Sequence, residues 1–160
     1  MIKRFSLLVL LLFMFLVAGC SESKLKREAK NETWTEEVQL YEALQEARKQ
    51  KMKDYYFLDL RVKEEHNEAF IQGFLNKPRD KVEFSEYVKR IKKHAMIVVF
   101  SESTEFTMEM VAFLIGLDFI NVKGVMIPTE RLFAYFHEKG MVMKIDDSGN
   151  TCPVDGEGGC

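Results

Sequence analysis

The chain is poor in the residues that usually carry redox, metal or nucleic-acid chemistry. Its three cysteines stand at positions 20, 152 and 160, and no two have the two-residue spacing of a redox or zinc pair. The three histidines, His66, His94 and His137, are too scattered for ligand spacing, so no metal site and no cofactor are expected. Charge of one sign is also lacking: 23 basic and 25 acidic side chains leave a net charge of -2, and no dense basic run appears. Nucleic acid is therefore set aside as a partner. There is no internal repeat.

What the chain does have is a distinctive beginning. Lys3 and Arg4 precede an apolar stretch from Leu7 to Ala18 that ends in small residues, the order of a signal peptide. The stretch is short for a spanning helix, which wants about 20 apolar residues. Leu16-Val17-Ala18-Gly19-Cys20 resembles the lipobox of bacterial lipoproteins. That resemblance implies cleavage before Cys20, lipidation of Cys20 and anchoring to the extracytoplasmic side of a cell membrane or outer membrane. Two or three acyl chains give stable anchoring where one is reversible. The expected division is a signal peptide over 1–19, a lipidated cysteine and flexible tether over 20–33, a domain over 34–143 and a polar tail over 144–160. The tether (SESKLKREAKN) is too poor in apolar residues to fold alone. Removing nineteen residues leaves 141, enough for one domain with a core.

From Thr35 the apolar residues Val38, Tyr41, Leu44 and Ala47 recur at helical spacing, with Glu36 and Glu37 early and Arg48 and Lys49 late. This predicts an amphipathic helix with charges suited to its dipole. Residues 55–60 (YYFLDL) and 96–100 (MIVVF) are short apolar runs that predict buried strands. Between them Phe84, Tyr87, Val88 and Ile91 are spaced as on a helix; Met108, Val111, Ala112 and Ile115 follow, closed by Gly116. A third strand is expected over 119–122, then Gly124 and Pro128, and a helix carrying Leu132, Phe133 and Phe136 with Thr129 as a candidate cap. Strands alternating with helices imply a parallel sheet. From Lys144 the chain is polar and glycine-rich, which predicts a tail without a core element.

Residues 59–78 (DLRVKEEHNEAFIQGFLNKP) resemble the rhodanese-domain segment that runs Asp-x-Arg, Glu-aromatic, then Gly-His-Ile-x-Gly-Ala-x-Asn-x-Pro. Asp59, Arg61, Glu65, Ile71, Gly73, Asn76 and Pro78 match the pattern in register, whereas His66 replaces the aromatic and Ala69-Phe70 replaces Gly-His. Ile97 to Phe100 is similar to the family's active-site strand, and GLDFINV over 116–122 to its Gly-aromatic-x-x-Val segment. The resemblance implies an α/β fold, a rhodanese-like single domain with a mostly parallel sheet flanked by helices and a cleft at the carboxyl ends of the strands. Taken alone, Asp59 and Arg61 would read as a surface ion pair worth little.

The family's nucleophile is a cysteine directly after the second strand, on a loop whose amides and helix N-terminus favour a negative thiolate or persulfide. Here the loop reads Ser101, Glu102, Ser103, Thr104, Glu105, Phe106, Thr107, and Ser101 stands at the cysteine position. A hydroxyl cannot form a persulfide and needs an adjacent base to attack; no histidine lies in the loop, and His66 is expected to be structural or at the surface. Glu102 and Glu105 would each oppose an anion by about 1 kcal/mol in water and about 4 kcal/mol in a partly shielded site, unless they point to solvent and support the helix N-terminus. Cys152 and Cys160 are expected to close a small disulfide. The sequence thus favours a catalytically inactive, membrane-anchored module that binds an envelope partner, over a sulfurtransferase or thiol-redox protein using Cys152 or Cys160, or a structural scaffold.

Overall fold

The computed structural model describes residues 33–77 and 79–154. The expected signal peptide, Cys20, almost all of the expected tether, Pro78 and Cys160 lie outside the described residues. The chain opens with β1 (Thr33–Trp34) and α1 (Glu37–Lys49), whose start is fixed by Gln39 Oε1 accepting from the amides of Thr35 and Glu36. Helix α1 buries Leu40, Leu44 and Ala47; Val38, expected on that stripe, is 44% exposed. There follow β2 (Tyr55–Asp59), α2 (Lys63–Glu68), β3 (Phe70–Ile71), β4 (Phe74–Asn76), α3 (Lys81–Val88) and β5 (Met96–Phe100). The rest comprises α4 (Thr104–Gly116), β6 (Val122–Val125), α5 (Thr129–Glu138), β7 (Val142–Ile145) and β8 (Thr151–Pro153).

Strands β1-β6-β5-β2-β4 form one sheet in that order, every pairing parallel. Both faces are covered, which is why the middle strand β5 is apolar at every position rather than alternating. In β2 and β5, Leu58, Ile97 and Val99 join α3 and α4 in one core, while Phe57, Val98 and Phe100 join α1 and α5 in the other. No helix among the described residues is long and apolar enough to cross a membrane.

Three expectations are corrected. The third strand is Val122–Val125, not 119–122. Asp118 takes a left-handed turn (φ 64°) after α4, Phe119 drops into the core, and Ile120 is left 79% exposed. Gly124 is therefore a strand residue. Thr129 is not a cap: it is the first residue of α5, Pro128 takes the cap position and makes no side-chain cap bond. The polar stretch from residue 144 is not a tail. Strand β7 crosses the expected boundary at 143, pairs antiparallel with β3 and with β8, and builds a second, three-stranded sheet. The DDSGN segment is its hairpin turn, in which Asp146 Oδ1 accepts from the amides of Ser148 and Asn150 and Gly149 has φ 82°. Composition read this segment as solvated; its side-chain-to-backbone bonds make it a turn. Thr33, counted as tether, pairs with Gly124.

Candidate functional site

The carboxyl ends of β2 and β5 meet where Leu60 N donates to Phe100 O at 2.8 Å. Ser101 follows at once and is 5% exposed. Its hydroxyl donates to Ser103 O at 2.7 Å, accepts from Ser103 N at 3.2 Å and lies 2.9 Å from Thr107 Oγ1. Thr107 is fully buried. Helix α4 starts three residues after Ser101, because Ser103 is a strong cap: its Oγ accepts from Phe106 N at 3.2 Å and its carbonyl from Thr107 N at 2.9 Å. The turn thus consumes several of the amides that would otherwise face an incoming anion.

The two loop carboxylates are both engaged. Glu102 is paired with Arg79 Nη1 at 2.5 Å, and Arg79 also lies over the Phe106 ring at 4.7 Å. Glu105 accepts from the hydroxyls of Ser103 and Thr104. Its own backbone amide, followed by those two hydroxyls, holds its carboxyl below the usual glutamate range. Of the two readings left open for these acids, Glu105 fits support of the helix N-terminus, where its charge still lies near the turn, while Glu102 is paired by a cation the sequence did not single out.

Beside this turn the family-motif residues form a buried polar knot. Asp59 (1% exposed) accepts from Arg61 N at 3.0 Å, Arg61 Nε at 3.1 Å and Arg61 Nη2 at 2.7 Å. Arg61 Nη2 also donates to Ala69 O, and its guanidinium lies over the rings of Phe100 and Phe133 at 5.3 and 4.7 Å. The pair is therefore interior, not an ordinary surface ion pair. His66 completes it, with Nδ1 2.8 Å from Asp59 Oδ2 and its ring stacked on Phe70 at 4.6 Å. Burial alone would raise the Asp59 pKa. The hydrogen bonds from His66 and Arg61 and the Arg61 charge outweigh it and hold the carboxyl below the usual range.

Asn76 Nδ2 donates to the carbonyls of Asp59 and Arg61, fastening the end of β4 to the turn after β2. Gly73 has φ 109° in the turn between β3 and β4, a conformation that favours glycine, while Ile71 is buried and Glu65 is exposed on α2. These residues set the loops in place; the hydrogen-bond partners of the Ser101 hydroxyl among the described residues are Ser103 and Thr107, neither of which is a base.

Cys152 lies elsewhere. It is 6% exposed on β8, in the smaller sheet, and is disulfide-bonded; the other two cysteines lie outside the described residues. His94 is exposed at the opposite end of the sheet from Ser101. Among the described residues no group of three or more His, Cys, Asp or Glu side chains is placed to hold a metal ion.

Sequence reasoning missed Arg79, Phe133 and the Asp59 to His66 bond. A buried aspartate needs several donors, so the polar His66 replacing an aromatic seven residues downstream was the signal for the last of these. Nothing local marks Arg79 or Phe133, since each reaches the site from a separate element.

No protein-family model matches the chain, and no curated protein matches it. Solved structures do. A crystal structure of the Alr3790 protein from Anabaena sp. is 21% identical, with a TM-score of 0.50 over 59% of this chain and 80% of that one. The X-ray structure of the rhodanese-like domain of that protein is 20% identical, with a TM-score of 0.48 over 60% and 96%. An E. coli rhodanese solved with anions is 17% identical, with a TM-score of 0.37 over 44% and 82%. The fold is rhodanese-like: a mostly parallel α/β sheet flanked by helices.

Proposed function

We propose that this rhodanese-like domain is catalytically inactive and serves as a binding module in the bacterial cell envelope, held to a membrane by lipid on Cys20. The observation that carries the reading is the state of Ser101. Its hydroxyl is buried and divided among Ser103 N, Ser103 O and Thr107 Oγ1, with no base at hand to draw off a proton. Sulfur transfer needs a thiolate at this position, and serine acylation or phosphorylation chemistry needs a free lone pair and a base. The self-capped turn supplies neither. The site then offers a shaped, hydrogen-bonded surface suited to recognition.

The rival thiol reading draws no support from Cys152, because a disulfide sulfur is not a nucleophilic thiolate. Thiosulfate-dependent sulfur transfer to cyanide, measured on the full chain with mass analysis for a persulfide, decides between the two. Background rates are expected. Turnover that vanishes in Cys152→Ala or Cys160→Ala would sink the inactive-module reading. Metabolic labelling with a fatty-acid analogue, compared between the natural chain and Cys20→Ser, tests the anchor. Crosslinking at the membrane should return reproducible neighbours; their absence counts against both a binding module and a scaffold.

A further inference from the structure

Because all five strands of the main sheet are parallel, their amino ends share one side of the domain, opposite Ser101. The turns entering β2, β5 and β6 meet there and are stitched together: Met96 N donates to Asp54 O at 2.9 Å, Ile97 N to Asn121 O at 2.9 Å and Ile120 N to Lys93 O at 3.1 Å. Those turns bring together two basic stretches that lie about forty residues apart in the chain. Lys51, Lys53, Lys89, Arg90, Lys92 and Lys93 are all exposed at this end, against the carboxylates of Asp54, Glu86 and Asp118; Lys89 is paired with Glu86, and Lys93 donates to Leu117 O. Asp54 is itself held by Lys92 at 2.9 Å. The turns leaving the strands at the other end mix Glu64, Glu65, Asp80, Glu102, Glu105 and Glu130 with Lys63, Lys77, Arg79, Lys81 and Arg131, and Arg79 and Lys81 there are paired with Glu102 and Glu109. An excess of cations over carboxylates is thus a feature of the amino-end face.

Compensation of helix dipoles accounts for cations in a last helical turn, such as Arg48 and Lys49. It does not account for Lys51, Lys53 and Arg90, which lie beyond the helix ends. Ile120, whose amide is bonded to the Lys93 carbonyl, is 79% exposed, an apolar side chain on the same face. An open cleft of about 300 Å³ lies in the same face, lined by Lys53, Tyr55, His94 and Asn121 together with the Asp54 carboxylate, which Lys92 pairs. The chain also enters the sheet from this side, since β1 runs parallel to β6 with Thr33 opposite Gly124.

We infer that the amino-end face of the sheet, its cationic turns together with the exposed Ile120, docks onto the anionic lipid headgroups of the membrane that anchors the protein, leaving the Ser101 end turned away from the bilayer. The inference rests on the Cys20 anchor for the position of that membrane. Residues 21–32 span at most about 40 Å when extended and about 20 Å as a flexible coil, so the face can reach the bilayer. Each cation near an anionic surface strengthens binding about fivefold at physiological salt, and Ile120 would enter the interface as apolar side chains of peripheral proteins do. Turned this way, the domain offers its Ser101 turn to partners that approach from the aqueous side.

The test uses the full chain, produced in a bacterium, extracted in detergent and reconstituted into vesicles of neutral phosphatidylcholine or of phosphatidylcholine with phosphatidylglycerol. Amine acylation read by mass spectrometry reports each lysine, with Lys63 and Lys81 at the far end as internal standards. Lys51 and Lys53 should label several-fold more slowly on the anionic vesicles. That protection should disappear in 1 M salt and in the variant K51E/K53E/R90E, whose thermal unfolding is checked against the parent. Equal labelling on both vesicle types, while the chain still floats with neutral vesicles, overturns the docking face and leaves the anchor intact. Failure to float with neutral vesicles, with protection retained on anionic ones, removes the anchor and keeps the face. Protection by polyglutamate but not by vesicles overturns the inference in favour of an acidic protein partner.

Discussion

The hydroxyls of Ser101 and Thr107 lie 2.9 Å apart, one at the end of β5 and the other a full turn into α4, so a single buried contact closes the turn where the fold family places its nucleophile. Ser101→Ala would leave the Thr107 hydroxyl and the Ser103 amide without that acceptor. A loss of about 1–3 kcal/mol is expected, read as a lower urea midpoint at unchanged slope. Thr107→Val should cost about 1 kcal/mol, because Ser101 keeps Ser103 O. The double variant should fall short of the sum, and strict additivity would argue against a shared network.

Restoring the thiol is not expected to restore the chemistry. In Ser101→Cys the amides of Phe106 and Thr107 still serve Ser103, and Glu105 still sits at the helix N-terminus. Sulfur transfer should stay near background. Adding Glu105→Gln removes a charge that opposes a bound anion by about 1 kcal/mol or more, so S101C/E105Q should exceed S101C by about fivefold. Equal rates would mean that Glu105 faces away from the anion position.

Asp59 is the hub of the buried knot, and its loss should be the most costly of these changes. Asp59→Ala strands the Arg61 guanidinium in the interior, a cost of about 3–5 kcal/mol. His66→Phe should cost less than about 2 kcal/mol, since Asp59 keeps its bonds from Arg61 and the stack on Phe70 is retained. Chemical denaturation of the two variants checks the ranking.

The same carboxyl sets an acid limit. With its pKa held below the ordinary value in the folded state, its stabilising effect is complete above the unfolded value of about 3.9 and is lost as pH falls through the folded one. Unfolding free energies measured from pH 6 down to pH 2 should fall on that limb, and Asp59→Asn should flatten it. An unchanged limb would assign the acid sensitivity to other groups.

Gly124 links the core to the site. A β-carbon there would come within 2.9 Å of Val111 Cγ2 and 3.1 Å of Thr107 Cγ2. Gly124→Ala should therefore cost about 1–3 kcal/mol through overpacking and disturb the Ser101 to Thr107 contact. Co-substitution of Val111→Ala should recover part of the loss, as followed by thermal unfolding.

Much of the architecture was legible in the chain. Met96–Phe100 is a strand and Gly116 ends a helix, both as the spacing predicts. Local spacing suffices where apolar periodicity and tertiary burial agree. It failed where they part: Ile120 looks like a strand residue but follows a left-handed Asp118, and DDSGN looks like a tail but closes a hairpin through its own side-chain bonds.

For the site, the sequence by itself determined that Ser101, and no cysteine, directly follows the MIVVF strand, because that is a fact of order along the chain. Only the tertiary structure decided that Asp59 and Arg61 are interior, that His66 joins them, that Arg79 neutralises Glu102 and that scattered lysines gather on one face. The physical reason is that burial and charge pairing depend on distances through space, and parallel strand pairing brings together turns that the sequence keeps about forty residues apart.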